Sequence, residues 1–159
     1  MKRVLLVLAM VNASSCGEPV DVAKAVHVKA VSTGWFAAGG VAGKNKIVPA
    51  LSFQLNNVSG QALPALQVNA VFRRAGTNEE IGAEFRPVSE SGGLATGATT
   101  ETITLKAGLG YTGTDPHEAL LRNSQFIDAR VDLFAKYGSA QWTRVGEYPI
   151  VRQLNGNED

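Results

Sequence analysis

Few side chains in this chain could carry out chemistry, and the two histidines, His27 and His117, are the most versatile of them. Zinc and copper sites generally need three or four His, Cys or carboxylate ligands brought together. His27 lies on the polar side of an alternating segment, where a solvated side chain is expected. His117 falls beside Asp115 and Glu118 at a predicted helix start, an arrangement typical of an exposed cap. The sequence therefore predicts neither a metal site nor a bound cofactor.

Sequence patterns that mark catalytic sites in enzymes are missing as well. The chain has no G-x-S-x-G elbow, no phosphate-binding loop and no dinucleotide fingerprint. Asp128 and Asp132 share one face of a predicted strand, but Arg130 stands between them. That order favours a row of exposed ion pairs over an acid–base pair. We therefore expect a protein without enzymatic activity.

Two predicted loops carry the best candidates for molecular recognition, because loops on a rigid β-scaffold are the usual place for binding residues. One loop spans residues 34–43 and the other spans residues 108–122. The alternative is that their aromatic rings only plug the ends of the fold. The candidate binding residues in these loops are Trp35, Phe36, Tyr111, Asp115 and His117.

The N-terminus has the three zones of a secretory signal peptide. Lys2 and Arg3 supply positive charge, residues 4–11 form an unbroken apolar run, and small residues lead to Cys16. This order is typical of a signal that is removed during export. The apolar run is too short to span a bilayer, which takes about 20 residues.

Cys16 is the only cysteine of the chain, and residues 13–16 (Ala-Ser-Ser-Cys) resemble the lipobox of bacterial lipoproteins. The resemblance departs from the commonest pattern at Ala13, where leucine is usual. It implies a signal peptide at residues 1–15, a diacylglycerol on the Cys16 thiol and an acylated Cys16 amine. Residues 16–25 would then form a lipidated tether, and several acyl chains anchor a protein stably. An ordinary secretory signal followed by a chance cysteine is the alternative.

The same resemblance predicts where the protein resides. Gly17 follows the cysteine, whereas an aspartate there often marks retention at the inner membrane. We therefore expect a periplasm-facing lipoprotein of the bacterial cell envelope, with the outer membrane favoured over the inner membrane. The covalent lipid would be its only non-protein group.

Length and charge limit what the remaining domain can do. Removing residues 1–15 from the 159-residue chain leaves 144 residues, enough for one domain with a core that needs no disulfide. Of 15 basic residues, Lys2 and Arg3 leave with the signal, so 13 basic residues face 14 acidic ones. This balance argues against nucleic-acid binding and against strong attraction to anionic lipid.

The hydrophobic pattern predicts an all-β fold for residues 26–154. Alternation with a period of two, interrupted by turns rich in Gly and Asn, indicates half-buried strands. About seven strands with almost no helix favour an immunoglobulin-like antiparallel β-sandwich, with a small closed barrel as the alternative. Residues 155–159 are predicted to be frayed. The predicted strands begin near Ala25, Ile47, Leu66, Ile81, Thr100, Gln125 and Gln141.

One short helix is predicted inside the long connection between the strands that begin near Thr100 and Gln125. Asp115 can cap it, Pro116 suits its first position, and it would run to Arg122. The strand beginning near Gln125 is predicted to turn Ile127 inward, and Trp142 on the last strand is predicted to lie in the core.

The stretch Leu51 to Gly82 resembles the FxLYD-type and related immunoglobulin-like domains of bacterial envelope lipoproteins. The shared features are an apolar strand, an Asn-x-Ser-Gly turn, a strand ending in an aromatic residue and a second polar turn. The FxLYD letters themselves are missing from this chain. The resemblance implies a fold and an envelope location, and it implies no activity.

Two functional hypotheses follow from these observations. The first is a lipid-anchored, non-catalytic binding or adaptor module that docks onto a protein partner in an envelope complex. The second is a small-ligand-binding protein or weak hydrolase that uses the loop of residues 108–122. The second hypothesis predicts a concave pocket that holds Tyr111, Asp115 and His117 together.

Overall fold

The computed structural model describes residues 19–88 and 92–157, and strands make up most of this part of the chain. Cys16 and the predicted signal peptide lie outside the described residues. Within the described ranges there are nine strands and two short helices, in the following order: α1 (Val22–Ala25), β1 (Val26–Val41), β2 (Lys44–Asn57), β3 (Leu66–Arg74), β4 (Glu80–Pro87), β5 (Ile103–Lys106), β6 (Tyr111–Gly113), α2 (His117–Leu120), β7 (Ala129–Tyr137), β8 (Thr143–Pro149) and β9 (Leu154–Asn157).

The strands form two sheets that pack against each other. The first sheet has the order β5-β2-β1-β9, with β6 also pairing to β2, and the second has the order β4-β3-β7-β8. All pairs are antiparallel except β1 with β9. The chain changes sheet four times, between β2 and β3, β4 and β5, β6 and β7, and β8 and β9. The predicted all-β sandwich is confirmed, with more strands than expected and a second short helix.

Alternating apolar residues of both sheets form the core between them. On β2, β3 and β7 the inward positions are fully buried, as the period-two pattern predicts. Pro87 ends β4, an edge strand, where a missing backbone donor is tolerated. The largest fully buried side chains are Trp35, Phe53, Phe72, Ile47, Leu51, Leu55, Leu63, Leu66, Leu105 and Leu133.

The predicted loop at residues 34–43 is wrong, because β1 continues through it to Val41. Gly34 pairs with Ala50 of β2. A side chain at this position would meet Asn155, because an added Cβ would lie 2.2 Å from the Asn155 amide nitrogen. The hairpin turn comes later, at Ala42 and Gly43, which have φ of 53° and 75°. Two consecutive positive φ values suit the tight turn of a β-hairpin.

Both ends of the domain are more ordered than the sequence indicates. Within the predicted tether, Val22–Ala25 forms α1, whose Val22 and Ala25 are buried in the core. The Val58 amide donates to the Ala25 carbonyl at 2.9 Å and ties this helix to the turn after β2. At the other terminus, the fraying predicted from residue 155 onward is wrong for residues 155–157, which belong to β9 (Leu154–Asn157) and pair with β1.

Three predictions in the second half of the chain need correction. The N-cap of α2 is Pro116, with no side-chain cap bond, so Asp115 does not cap the helix. Ile127 is 41% exposed because β7 begins only at Ala129. Trp142 precedes β8 and is 38% exposed, so it is not a core residue.

Candidate functional site

Three aromatic rings close one end of the sandwich. Trp35 of β1 is fully buried and meets Phe126 edge-on at a centroid distance of 4.8 Å and Tyr111 at 5.8 Å. The Tyr111 and Phe126 rings stack on each other at 4.5 Å. Edge-to-face and offset-stacked pairs are the favoured aromatic geometries. This cluster fastens the connection between β5 and β7 to the first sheet.

Polar contacts hold the same connection from outside. The Tyr111 hydroxyl accepts a hydrogen bond from the Ile127 amide and donates to the Ile127 carbonyl. The Arg152 guanidinium lies 4.8 Å above the Phe126 ring and donates twice to Asp128, at 2.6 and 3.1 Å. That hydrogen-bonded guanidinium lowers the pKa of the Asp128 carboxyl, although some burial opposes the shift. The wall around Trp35 is therefore a braced structure and not a free loop.

A cavity of about 280 Å³, which we name the end cavity, lies between this aromatic wall and the turn from β3 to β4. Its apolar lining comes mainly from the aromatic wall, and its charged lining comes mainly from the turn. The residues that line it are Trp35, Arg74, Glu79, Glu80, Ile81, Leu109, Gly110, Tyr111, Ile127 and Asp128.

Two residues of the end cavity each have a buried side-chain N–H without a hydrogen-bond acceptor from the described residues. One is the indole Nε1 of Trp35 and the other is the guanidinium Nε of Arg74. The Arg74 Nε is 3.1 Å from a Glu79 carboxylate oxygen, so the two form an ion pair without hydrogen-bond geometry. Buried polar groups in native structures nearly always have a partner. Although Glu79, Glu80 and Asp128 line the cavity, neither of these two N–H groups has an acceptor in hydrogen-bond geometry among the described residues.

Gly110 allows the wall to approach the first sheet. A Cβ at this position would lie 1.9 Å from the Ile47 carbonyl oxygen of β2. Because that oxygen belongs to a paired strand, it cannot move aside cheaply. The neighbouring Gly108 has open space around an added Cβ. Gly110 thus fixes how closely Leu109 and Tyr111 stand to the sandwich.

The structure brings together only two of the five candidate binding residues. Trp35 and Tyr111 both line the end cavity, with Trp35 as a buried plug. Phe36 lies away from it, with the Lys106 ammonium 4.6 Å above its ring. Asp115 and His117 do not line the cavity; Asp115 is exposed and its backbone carbonyl accepts a bond from Asn45. The pocket predicted to hold Tyr111, Asp115 and His117 together is not the one found here.

A second candidate site lies on the outer surface of the sheet β4-β3-β7-β8. Asp132 of β7 is 4% exposed, so the predicted exposed row of Asp128, Arg130 and Asp132 is wrong at this residue. Its carboxylate pairs with three guanidinium groups: Arg130 at 2.8 Å, Arg73 at 3.2 Å and Arg144 at 3.4 Å. Arg130 and Arg73 also donate to Asn78 in the turn between β3 and β4. Three arginine side chains therefore converge on one buried carboxylate, with Arg144 the most exposed of them.

Exposed aromatic side chains continue the same surface. Phe85 of β4 is 53% exposed and meets the Trp142 ring edge-on at 6.1 Å. The Lys136 ammonium lies 5.1 Å above the Trp142 ring. We call this surface the arginine–aromatic face; its defining residues are Arg73, Phe85, Arg130, Lys136, Trp142 and Arg144.

This face was not predicted from the sequence, because its residues come together only through the register of neighbouring strands. Phe85, Arg73 and Arg144 each occupy an outward position on a different strand, and nothing in one strand shows which residues stand beside it. Pairing of Phe85 with Asn69, and of Phe134 with both Asn69 and Arg144, brings the strands together. The outward-facing residues of each alternating segment could have indicated this face, because residues directly opposite each other on neighbouring strands lie on the same side of the sheet.

The described residues contain neither a cluster of metal ligands nor a membrane-spanning helix. No group of three or more His, Cys, Asp or Glu side chains there could hold a metal ion. No helix among residues 19–88 and 92–157 is long and apolar enough to cross a membrane.

Comparisons with known proteins identify no family for this chain. No family model matches it, no curated protein matches it, and no catalytic family is identified. Among solved structures, the X-ray structure of Northeast Structural Genomics Consortium target SoR45 has a TM-score of 0.46 at 12% identity, over 81% of this chain and 88% of that chain. The Pseudomonas fluorescens alkylpurine DNA glycosylase AlkC, bound to DNA containing an abasic site analog, has a TM-score of 0.42 at 13% identity, over 83% of this chain and 31% of that chain. At these TM-scores neither similarity bears on what this chain does.

Proposed function

We propose that this chain is a lipid-anchored, non-catalytic binding module of the bacterial cell envelope that docks a protein partner on its arginine–aromatic face. The observation that carries the docking proposal is the exposed Phe85–Trp142 pair beside the three arginines held by Asp132. Tryptophan and arginine dominate the binding energy of protein interfaces. Pairing with Asp132 fixes the arginine side chains in advance, which lowers the entropy lost on docking.

Charge indicates what kind of partner fits this face. Four cations stand on it, Arg73, Arg130, Lys136 and Arg144, whereas its anions are Asp132 and Glu147. The cationic excess is complementary to an acidic segment, and the aromatic pair accepts an apolar side chain next to it. We commit to a protein surface that combines carboxylates with an apolar residue, since complementary charge guides association and register.

The anchor rests on the sequence signal. The lipobox-like residues 13–16 and the single cysteine support acylation of Cys16, and the signal zones support export. The structure adds that the chain is already packed into the domain at Val22. A short tether of this kind would hold the domain near the membrane surface.

Site-specific crosslinking tests the docking proposal. A photoreactive amino acid replaces exposed Gln141, next to Trp142, in the full-length protein expressed in a Gram-negative host. We expect one protein adduct that is lost with Phe85→Ala and with Arg144→Glu. Val151→Ala, which changes an exposed apolar residue away from the face, is the matched control and should keep the adduct.

Two results would overturn docking on this face. One is an adduct that survives both face variants. The other is a face that crosslinks only to lipid, with Phe85→Ala weakening the binding of the protein to vesicles of anionic phospholipid. Raising salt should weaken the protein adduct, because the partner is chosen by charge.

Metabolic labelling tests the anchor separately. An alkyne fatty acid supplied to the cells should label the wild-type protein and not Cys16→Ser, and the wild type should fractionate with outer membranes. Equal labelling of both proteins, or none of either, would reject lipidation. Because metabolic labelling reports only on lipidation of Cys16, a negative result would not change the interpretation of the crosslinking experiment.

A further inference from the structure

Asn155 and Gly156 of β9 form the only Asn-Gly sequence of the chain. We propose that this pair is a site of spontaneous deamidation, and that the modification releases β9 from β1. The arginine–aromatic face uses other residues, so this proposal does not rest on the docking proposal. It rests on the pairing of β9, on the contacts of the Asn155 amide and on the chemistry of the pair.

The reaction needs only this chain and water. The Gly156 backbone nitrogen, after losing its proton to the solvent, attacks the side-chain carbonyl carbon of Asn155 in an intramolecular step. A bond forms between these two atoms, the bond from the carbon to the amide nitrogen breaks, and ammonia leaves with a proton from water. Water then opens the succinimide ring. Opening at the side-chain carbonyl gives aspartate, and opening at the main-chain carbonyl gives isoaspartate.

The attacking nitrogen lies at a break in the pairing of β9. Between its pairs at Leu154 and Asn157, β9 advances three residues while β1 advances two. Such a bulge leaves an extra residue unpaired and disrupts the ladder locally. Gly156 lies within the bulge, is exposed, has φ of 66°, and has nothing within 4 Å of an added Cβ. No side chain of its own obstructs ring closure at this nitrogen.

The Asn155 amide is held in place by one long hydrogen bond. Its nitrogen donates to the Thr33 carbonyl at 3.2 Å, and the residue is only half-buried. The same carbonyl accepts from the Gln153 side chain at 3.1 Å, so it keeps a donor when Asn155 turns away. A single bond between neutral groups contributes little net free energy. The Asn155 side chain can therefore rotate towards the peptide that follows it.

Deamidation removes an attachment of β9. Aspartate has no amide donor, and its carboxylate oxygens would face the Thr33 carbonyl oxygen, which is also an acceptor. Isoaspartate also adds a methylene to the main chain, which changes the register with β1. Among the described strands, β9 pairs with β1 alone. No second neighbouring strand therefore holds β9 when this contact is lost.

The Trp35 backbone amide reports on the attachment of β9. It donates to the Gln153 carbonyl at 2.8 Å, immediately before the strand. When β9 separates from β1, this amide loses its acceptor, and its hydrogen exchange with solvent becomes faster. Leu133 of β7 is fully buried in the other sheet, so its amide should stay protected. Comparison of the two amides distinguishes local release from unfolding of the domain.

Peptide mapping by mass spectrometry tests the modification. The folded full-length protein is incubated at mildly alkaline pH, and the tryptic peptide of residues 153–159 is fragmented to locate the conversion. We expect Asn155 to convert several-fold faster than the exposed Asn123, because Ser124 adds a side chain beside the attacking nitrogen. Asn155→Gln keeps an amide but needs a larger ring, so it should stay unmodified. Equal rates at Asn155 and Asn123, or conversion only after unfolding in urea, would overturn the proposal.

Hydrogen exchange of Asn155→Asp tests the release of β9. We expect the Trp35 amide to exchange several-fold faster in this variant than in the wild type, while the Leu133 amide stays protected. Asn123→Asp makes the same change at an exposed residue and should leave both amides unchanged. An unchanged Trp35 amide in Asn155→Asp would show that the modified strand stays in place. Faster exchange at Leu133 as well would show general unfolding, and either result rejects the release.

Discussion

Trp35 of β1 meets Phe126 edge-on at 4.8 Å, which joins the first sheet to the segment that leads into β7 of the second sheet. Phe126 is in turn covered by the Arg152 guanidinium from the C-terminal segment. Two contacts at the Phe126 ring therefore connect three parts of the chain. Trp35 also contributes to the lining of the end cavity.

Substitution of Gly110 by alanine should destabilise the wall of the end cavity. The new Cβ would lie 1.9 Å from the Ile47 carbonyl oxygen, so strand or wall must shift. We expect a loss of about 1–3 kcal/mol in the free energy of unfolding, measured with urea. Gly108→Ala is the control, since nothing lies within 4 Å of its added Cβ, and it should change stability by less than about 0.5 kcal/mol. Equal losses for both variants would show that the close approach is not what matters.

Loss of the Asn57 side chain should weaken the turn after β2. Its amide donates to the Gln61 carbonyl at 2.8 Å and to the Leu94 carbonyl at 2.9 Å, and its oxygen accepts from Ser59. Because Asn57 is fully buried, no water replaces these bonds in the variant. Asn57→Ala should cost about 2–3 kcal/mol in thermal or urea unfolding, and half-exposed Asn69→Ala less than about 1 kcal/mol. A small effect at Asn57 would contradict its role as the centre of the turn.

Removal of the buried charge at Asp132 should destabilise the second sheet. Asp132→Asn keeps the shape but leaves Arg73 without an anion and Arg130 with only the Glu147 carboxylate at 3.7 Å, although the two arginine side chains are only 25% and 23% exposed. The expected cost is about 1–3 kcal/mol, with arginine solvation limiting it. Glu147→Gln removes an exposed carboxylate from the same network and should cost less than about 1 kcal/mol. The ordering of the two variants in urea unfolding checks this prediction.

The Asp128–Arg152 pair should give the protein a defined response to acid. The pKa of Asp128 is lowered because its carboxylate accepts from Arg152, so the folded state binds that proton less readily than the unfolded state. The pair therefore contributes stability at pH values above the ordinary aspartate pKa of about 3.9, and this contribution is lost as the pH falls through the folded-state pKa.

An NMR titration of the carboxyl carbons checks the assignment. Arg152→Met should raise the Asp128 pKa towards its ordinary value, while Lys24→Met, which removes the partner of exposed Asp21, serves as the control and should leave Asp128 unchanged. An unaltered Asp128 titration in Arg152→Met would show that another group sets its pKa.

The strands were predictable where burial alone decides the structure. The second half of β2 and most of β3 and β7 alternate between buried and more open residues, as the sequence period predicts, whereas residues 47–51, Val71 and Asp132 are buried as well. The second half of β1 was missed because its glycines look like a loop, whereas Gly34 serves a close contact with Asn155, a residue 121 positions later in the chain.

The candidate sites were predictable only in part, because they arise from contacts between distant segments. Trp35 and Tyr111 could be named from their residue types, but Arg74 joins them only through the packing of the two sheets. The burial of Asp132 likewise depends on Arg73 and Arg144 in neighbouring strands. Residue type identifies candidates, and register decides which of them meet.

The direction of the strands gives the module a polarity. β1 starts at Val26, which pairs with Asn57 at the same end as α1, and Trp35 lies nine residues further along it. α1 and the end cavity thus belong to opposite poles of the sandwich. If Cys16 carries the proposed lipid, the domain stands on the membrane by its α1 pole, and the opening beside Trp35 faces away from the bilayer. Solutes diffusing through the periplasm would then reach the cavity without passing the lipid headgroups.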